Sequence, residues 1–152
     1  MRLPVPVRRA AIRCAYIALR LYWFVFRPRI VGVKCVLVHD REVLLVRHSY
    51  GHRSWDFPGG TVRRRERPVD AARREMEEEL GRRIEAWADL GEMFVHINHH
   101  DDNLHVLQAD LPDRRIELNL TELAESAWFD PAALPADLGR YVRPILARLS
   151  GS

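Results

Sequence analysis

The hydrophobic pattern of the chain changes near residue 28 and divides the sequence into two parts. Before that point apolar residues dominate, and Arg13, Arg20 and Arg27 recur every seven residues, a spacing that keeps them in one narrow stripe of a helix. After it, runs of β-branched residues alternate with turn residues, as in β-strands. The pattern predicts an N-terminal amphipathic helical segment over residues 1–27 and a globular domain over residues 28–152.

The predicted domain combines strands with two helices, which indicates an α/β or α+β sandwich. The turn residues Asp40 to Glu42 predict a β-hairpin between the first two strands, and a polar turn, HHDDN, separates the third strand from the fourth. Pro144 is expected to kink the second helix. The predicted strands cover Ile30–His39, Val43–Val46, Ile84–Ile97, Leu104–Leu111 and Glu125–Asp130, and the predicted helices cover Pro68–Leu80 and Asp137–Leu149.

The composition excludes several classes of protein. Apolar residues make up 47% of the 152 residues and charged residues 30%, which excludes a disordered tail and a fibrous repeat. Cys14 and Cys35 lie far apart, so we expect two small buried residues in a reducing cytosol and no disulfide. Nearly all the positive charge is arginine, with Lys34 as the only lysine; this excess suits contacts with phosphate oxygens, and genome composition explains it equally well.

The N-terminal segment has two interpretations. Its arginines interrupt the apolar run too often for a transmembrane span of about 20 mostly uncharged residues, and no cleavage site marks a signal peptide. In the first interpretation, residues 8–27 lie on an anionic membrane with their arginines at the headgroups. In the second, the helix packs on its own domain or on a second subunit of a homodimer. The protein is expected in the cytoplasm, at the inner face of a membrane if the first interpretation holds.

The stretch REMEEELG, residues 74–81, places four glutamates on one predicted helix. Glu75, Glu78 and Glu79 share one arc of that helix, and Glu77 points elsewhere. Like charges at i,i+4 spacing cost about 0.2–0.5 kcal/mol per pair, so something should offset the repulsion. Two offsets are open: ion pairs with the arginines at positions 82 and 83, or a divalent cation held by carboxylate oxygens. The adjoining arc carries Val69, Ala72, Met76 and Leu80, which are expected to pack on the sheet.

Fixed positions before the glutamates extend this pattern. Gly60 is followed by five residues, Glu66, seven residues, Arg74 and then the glutamates up to Gly81. The order resembles the Nudix box, G-x5-E-x7-R-E-U-x-E-E-x-G-U with U a bulky apolar residue, and the chain is similar to the MutT-like Nudix hydrolases. The box is intact from Gly60 to Gly81 and departs only at Arg82, where an apolar residue is usual. The resemblance implies an α/β/α sandwich with a mixed β-sheet.

The resemblance also implies a reaction, the hydrolysis of a diphosphate linkage in a nucleoside diphosphate joined to another group, with Mg²⁺ or Mn²⁺ as cofactor. Glu75 or Glu79 would accept a proton from the attacking water, and Arg74 and Glu66 would orient the catalytic carboxylate. The implied metal ligands are Glu75, Glu78, Glu79 and the backbone carbonyl of Gly60 or of Gly59.

Further candidates lie outside the box. Some Nudix hydrolases use an additional downstream carboxylate, and Glu122 stands in that place ahead of Glu125 and Glu117, with a solvated loop acid as the alternative. The histidines around the predicted polar turn fit no tight zinc pattern, which favours a substrate contact or a polar loop tip. The candidate substrate contacts are Arg47, Arg63, His96 and His99.

Three functions are compatible with the sequence. The first is a hydrolase of a nucleoside diphosphate derivative, without a specific nucleic-acid partner. The second is a catalytically silent Nudix-fold module that binds a nucleotide or a partner, and the third is a membrane-associated hydrolase of a lipid-linked diphosphate. The intact glutamates favour a hydrolase, whereas the substrate depends on loops outside the box.

Overall fold

A computed structural model of the chain describes residues 4–26, 29–97 and 100–149, apart from the side chains at positions 23, 24, 26, 96, 97 and 100. Three helices and six strands occur in this part of the chain. They are α1 (Val5–Phe26), β1 (Ile30–His39), β2 (Glu42–His48), β3 (Gly59–Thr61), α2 (Pro68–Leu80), β4 (Ala88–Ile97), β5 (His100–Asp110), β6 (Leu123–Phe129) and α3 (Val142–Leu149).

The strands form one mixed sheet in the order β4-β5-β1-β2-β6. β1 runs parallel to β5 and antiparallel to β2, and its first half pairs with the short β3. β4 and β6 form the two edges through antiparallel pairs with β5 and β2. The prediction of a mixed sheet is confirmed.

The two faces of the sheet carry separate hydrophobic clusters, because alternate residues of a strand point to opposite faces. In β1, Val33 and Leu37 belong to the same cluster as Met76 of α2, whereas Val36 belongs with Ile145 of α3. One helix therefore covers each face of the sheet, as expected for an α/β/α sandwich.

The predicted hairpin is confirmed. Asp40 and Arg41 connect β1 to β2 with φ angles of 49° and 68°, the left-handed pair that closes a two-residue hairpin turn. β2 is longer than predicted and continues past Val46 to His48.

Two predictions for the next strands are wrong. The strand predicted from Ile84 begins at Ala88, because Ile84 is buried in the α2-side core and its carbonyl accepts the indole N–H of Trp87 at 3.1 Å. The polar residues predicted as a turn belong to β5 from His100 onward, because pairing with β4 satisfies their backbone groups up to Asn103.

The C-terminal helix is shorter than predicted. It starts at Val142 instead of Asp137, so Pro144 lies in its first turn, where a backbone N–H has no intrahelical acceptor. Proline therefore fits the helix without disrupting it, and the expected kink at Pro144 is wrong.

α1 contacts the rest of the chain through its first half. The Arg9 guanidinium donates from Nε to the Leu120 carbonyl at 2.7 Å, and the ring of Tyr16 lies 5.4 Å from that of Tyr50. Cys14, predicted to be buried, is exposed because it lies on the opposite side of the helix. The division into two units at residue 28 stays a prediction.

Within the described residues, no helix combines the length and the apolar character that crossing a membrane requires.

Candidate active site

α2 begins and ends where the sequence predicts, at Pro68 and Leu80. The preceding Arg67 provides no side-chain cap, and proline fits this first position because the N–H that it lacks has no intrahelical partner. Gly81 follows the helix in the left-handed conformation, with φ 59° and ψ 23°, which favours glycine. Pro68 and Gly81 thus determine where α2 begins and ends.

The glutamates of α2 do not pair with the arginines that follow the helix. Arg82 pairs with Asp113 at 2.8 Å, and Arg83 lies 3.3 Å from Glu85. The interpretation in which these arginines offset the repulsion between the glutamates is therefore wrong.

Two of the glutamates are buried where α2 faces β3. Glu75 is 9% exposed and Glu79 is 2% exposed, whereas the Glu78 side chain is 48% exposed. The strand approaches them closely: a Cβ at position 60 would lie 2.2 Å from the Glu75 carboxyl carbon, and the Gly59 N–H donates to Glu79 Oε2 at 3.3 Å. Glycine at position 60 leaves the space that the Glu75 carboxylate occupies.

Arg74 connects the glutamates to the start of the box. Its Nε and Nη2 donate to the two carboxylate oxygens of Glu66 at 2.9 and 3.0 Å, and its Nη1 donates to Glu75 Oε1 at 2.6 Å. Its Nη2 also donates to the Thr61 carbonyl at 2.9 Å. Such a fork restricts the rotamer of Glu75. The structure contains the contacts that the resemblance implies for Arg74 and Glu66, while their catalytic role stays a prediction.

The buried carboxylates repel one another. Burial, together with the negative charges of Glu75 and Glu122, raises the pKa of Glu79 to about 8, against the opposing effects of the Gly59 N–H and Lys34. Burial also raises the pKa of Glu75, although the Arg74 hydrogen bond lowers it. This region thus concentrates more negative charge than its own cations neutralise.

Glu122 belongs to the same group of carboxylates. Burial and the charges of Glu75 and Glu78 raise its pKa, whereas Arg8 of α1 lowers it. The other downstream candidates lie elsewhere, with Glu125 close to Arg47 and Glu117 beside Gly81. The order of preference predicted for these three acids agrees with their positions.

The donor atoms fit a hard divalent cation. Carboxylate oxygens and a backbone carbonyl at β3 are the ligands that Mg²⁺ and Mn²⁺ prefer, and a cation among them would reduce the repulsion that raises the pKa of Glu79. Among the described residues no three acidic, imidazole or thiol groups already form a metal-binding cluster, because Glu75 turns to Arg74. Small side-chain rotations would have to accompany binding.

Residues 28–149 match the family model of the NUDIX domain. The chain belongs to the Nudix family. It is a Nudix hydrolase, and hydrolysis of a pyrophosphate linkage is the general reaction of this class. Among curated proteins no sequence matches the chain.

Solved structures of similar fold support this assignment. A MutT NUDIX hydrolase from Burkholderia pseudomallei is 26% identical, with a TM-score of 0.73 over 80% of this chain and 98% of its own. A UDP-X diphosphatase is 24% identical, with a TM-score of 0.69 over 82% of this chain and 63% of its own. The NUDIX domain of Shewanella oneidensis NrtR, in a complex with ADP ribose, is 17% identical, with a TM-score of 0.69 over 84% and 90%. The fold of this Nudix hydrolase is therefore the expected one.

The predicted substrate contacts of the Nudix hydrolase separate in the structure. Arg63 is exposed near the glutamates, with Nη2 3.9 Å from Glu78 Oε1. Arg47 lies on the other face of the sheet, where it stacks on Trp55 at 4.6 Å and pairs with Asp137. His99 and the side chain of His96 lie outside the described residues. Of the two side chains that the structure describes, Arg63 lies near the glutamates and Arg47 does not, and all four roles stay predictions.

Sequence reasoning missed the loop after β2. Burial, together with the negative charges of Glu122, Glu79 and Glu75, raises the pKa of Tyr50 to about 12, so this phenol interacts with the carboxylates. Ser49 holds the loop to Glu122, whose carbonyl accepts its backbone N–H at 2.8 Å. No spacing pattern could have indicated this contact, because the two segments lie far apart in the sequence.

Proposed function

We propose that this Nudix hydrolase cleaves a diphosphate linkage in a nucleoside diphosphate derivative, with Mg²⁺ or Mn²⁺ held by carboxylates of α2 and the backbone of β3. The observation that carries the proposal is the burial of Glu75 and Glu79 against Gly59 and Gly60, which concentrates two carboxylates at one site while Arg74 pairs with one of them. The proposed ligands are Glu75, Glu78, Glu79, the Gly60 carbonyl and Glu122.

Bound divalent cations would neutralise phosphate oxygens and lower the pKa of a bound water. The protein groups would then position and deprotonate the nucleophile. Arg74 holds the carboxylate of Glu75 in one orientation, with Glu66 fixing the guanidinium in turn. Either Glu75 or Glu79 accepts the proton as the water oxygen bonds to phosphorus, and the bond between that phosphorus and the bridging oxygen breaks.

The family and its structural neighbours support this substrate class. One neighbour is a UDP-X diphosphatase and another was crystallised with ADP ribose, so a nucleoside diphosphate joined to a second group fits this fold. Arg63, exposed next to Glu78, is the cation that we expect to contact a terminal phosphate oxygen. We place the reaction in the cytoplasm, where the free thiols of Cys14 and Cys35 would stay reduced.

A substrate panel tests this proposal. Purified full-length protein is incubated with nucleotide sugars, ADP-ribose, dinucleoside polyphosphates, oxidised nucleoside triphosphates and capped RNA, each with Mg²⁺, Mn²⁺ or EDTA. Mass spectrometry in ¹⁸O-labelled water identifies the products and the phosphorus that is attacked. We expect cleavage of at least one nucleoside diphosphate derivative that requires the metal. Binding of such compounds without cleavage under any condition would instead support the catalytically silent module.

A further inference from the structure

Most of the exposed large hydrophobic side chains among the described residues belong to α1. Nine such side chains are exposed, and seven of them lie in this helix. Ile17, Leu21 and Val25 recur at i,i+4 spacing with exposures of 60%, 64% and 67%, so they form one continuous stripe. A stripe of this kind marks a surface that binds something.

The inward face of α1 is already occupied by the protein. Arg9 and Tyr16 contact Leu120 and Tyr50, and Arg13 donates from Nη2 to the Ser49 carbonyl at 3.3 Å. Rotation of the helix to bury its apolar stripe against the domain would break these contacts. The stripe must therefore be covered from outside.

The distribution of charge along the chain indicates what binds the apolar stripe of α1. Residues 1–39 contain eight arginine and lysine residues and no acid, and the whole chain has 24 basic and 21 acidic residues, so residues 40–152 carry a net charge of −5. The positive charge of the protein thus concentrates at its N-terminal end. Arg20 is exposed. It lies eleven residues after Arg9, on the protein-facing side of the helix, and about 60° from Ile17, at the edge of the apolar stripe.

We propose that α1 binds the surface of an anionic phospholipid bilayer, lying in its plane with Ile17, Leu21 and Val25 among the acyl chains and Arg20 at the headgroups. The inward contacts keep the helix parallel to the surface. The same helix contacts the loop that carries Glu122, because its Arg9 donates to the carbonyl of Leu120.

A second copy of the chain fits this face less well. The 22-residue helix is about 33 Å long, and an apolar face about 10 Å wide would bury about 660 Å² in a pair of helices. Stable protein interfaces bury about 1,200 Å² or more. Two copies of α1 would also bring arginines together without an acidic residue on either helix.

Vesicle co-sedimentation of the full-length protein tests the proposal. The vesicles contain either equal parts of phosphatidylglycerol and phosphatidylcholine or phosphatidylcholine alone. Wild-type protein should pellet with the anionic vesicles. Leu21→Glu should lower the partition coefficient about tenfold or more, because the apolar contact is lost. Arg20→Gln should lower it about fivefold, the share of one cation near an anionic surface.

Phe94→Glu is the matched control, because Phe94 is 78% exposed in β4 and receives the same new charge. It should pellet like the wild type, and all variants should keep the circular dichroism spectrum and the hydrolysis rate of a soluble substrate without vesicles. Equal pelleting of Leu21→Glu and wild type, or no pelleting of either, would overturn the proposal. If light scattering showed dimers that Leu21→Glu dissociates, and the wild type did not bind vesicles, the partner of the apolar stripe would be a second copy of the chain and not a bilayer.

Discussion

α1 and α2 are both amphipathic, and they use their two faces in opposite ways. α2 packs its apolar face on the sheet and turns its buried glutamates toward β3. α1, in contrast, turns Arg9 and Arg13 toward the protein and leaves its apolar face exposed. Hydrophobic periodicity reveals that a helix has two faces but not which face meets the protein. For α2 the ambiguity disappears because Gly60 and Glu66 stand at fixed distances before it.

The largest effect is expected for the buried acid of α2. Glu79→Gln removes one proposed metal ligand and one candidate proton acceptor, so the rate of diphosphate hydrolysis should fall about a thousandfold. Glu77→Gln is the control, since Glu77 is exposed on the same helix and should retain wild-type activity. Equal rates for the two variants would contradict the distinction between the faces of α2.

The next prediction concerns His48, at the end of β2 below the loop that α1 contacts. Burial lowers the pKa of His48 from 6.5 to about 4, so between these pH values the unfolded chain binds a proton that the folded protein does not. His48 should therefore contribute less to the free energy of unfolding as the pH falls from 6.5 to 4, by up to about 3 kcal/mol, whereas Glu79, whose pKa is raised, contributes more over the same interval.

Urea denaturation at several pH values measures this dependence. The difference in pH dependence between the wild type and His48→Gln isolates this contribution, because glutamine does not titrate, and the exposed His52→Gln should leave the wild-type dependence unchanged. Equal pH dependence in the wild type and His48→Gln would mean that burial in the folded protein does not lower the proton affinity of His48.

Substitutions at the two glycines of β3 should have different effects on stability and on activity. A methyl group at position 60 would meet the movable Glu75 carboxylate at 2.2 Å, whereas one at position 59 would meet the backbone oxygen of Val33 at 2.0 Å. Gly60→Ala should therefore keep the melting temperature within a few degrees and lower activity about a hundredfold by displacing the carboxylate. Gly59→Ala should lower the melting temperature clearly, and the reverse order would be inconsistent with the close approach described here.

The smallest effect is expected for Arg74→Lys. Lysine cannot contact Glu66 and Glu75 with a planar fork, so the catalytic rate should fall about tenfold without a change in metal affinity of similar size. Arg73→Lys is the control on the same helix, because Arg73 pairs only with Asp70 and Glu85. Equal rates for both variants would show that the fork has no role in orienting Glu75.

Local signals predicted most of the fold and the acidic part of the site. Pro68 and Gly81 indicated the limits of α2, and runs of β-branched residues around a polar turn indicated β1 and the hairpin. The start of β5 could not be predicted, because its residues are polar and have a weak preference for strands. Pairing with β4 overrides this preference in the folded protein.

The remaining part of the site depends on contacts between distant segments. Arg9 meets Leu120 and Arg13 meets Ser49 only after the sheet has formed, and Tyr50 reaches the carboxylates through that same loop. Such contacts leave no spacing pattern in one sequence.

The central claim is that the glutamate face of α2 binds a divalent cation, and calorimetric titration with Mn²⁺ tests it most directly. Wild-type protein and Glu77→Gln should bind Mn²⁺ with the same affinity, and the double variant Glu75→Gln/Glu79→Gln should lose that binding while it keeps the wild-type circular dichroism spectrum. Equal Mn²⁺ affinity in the wild type and the double variant would contradict the account.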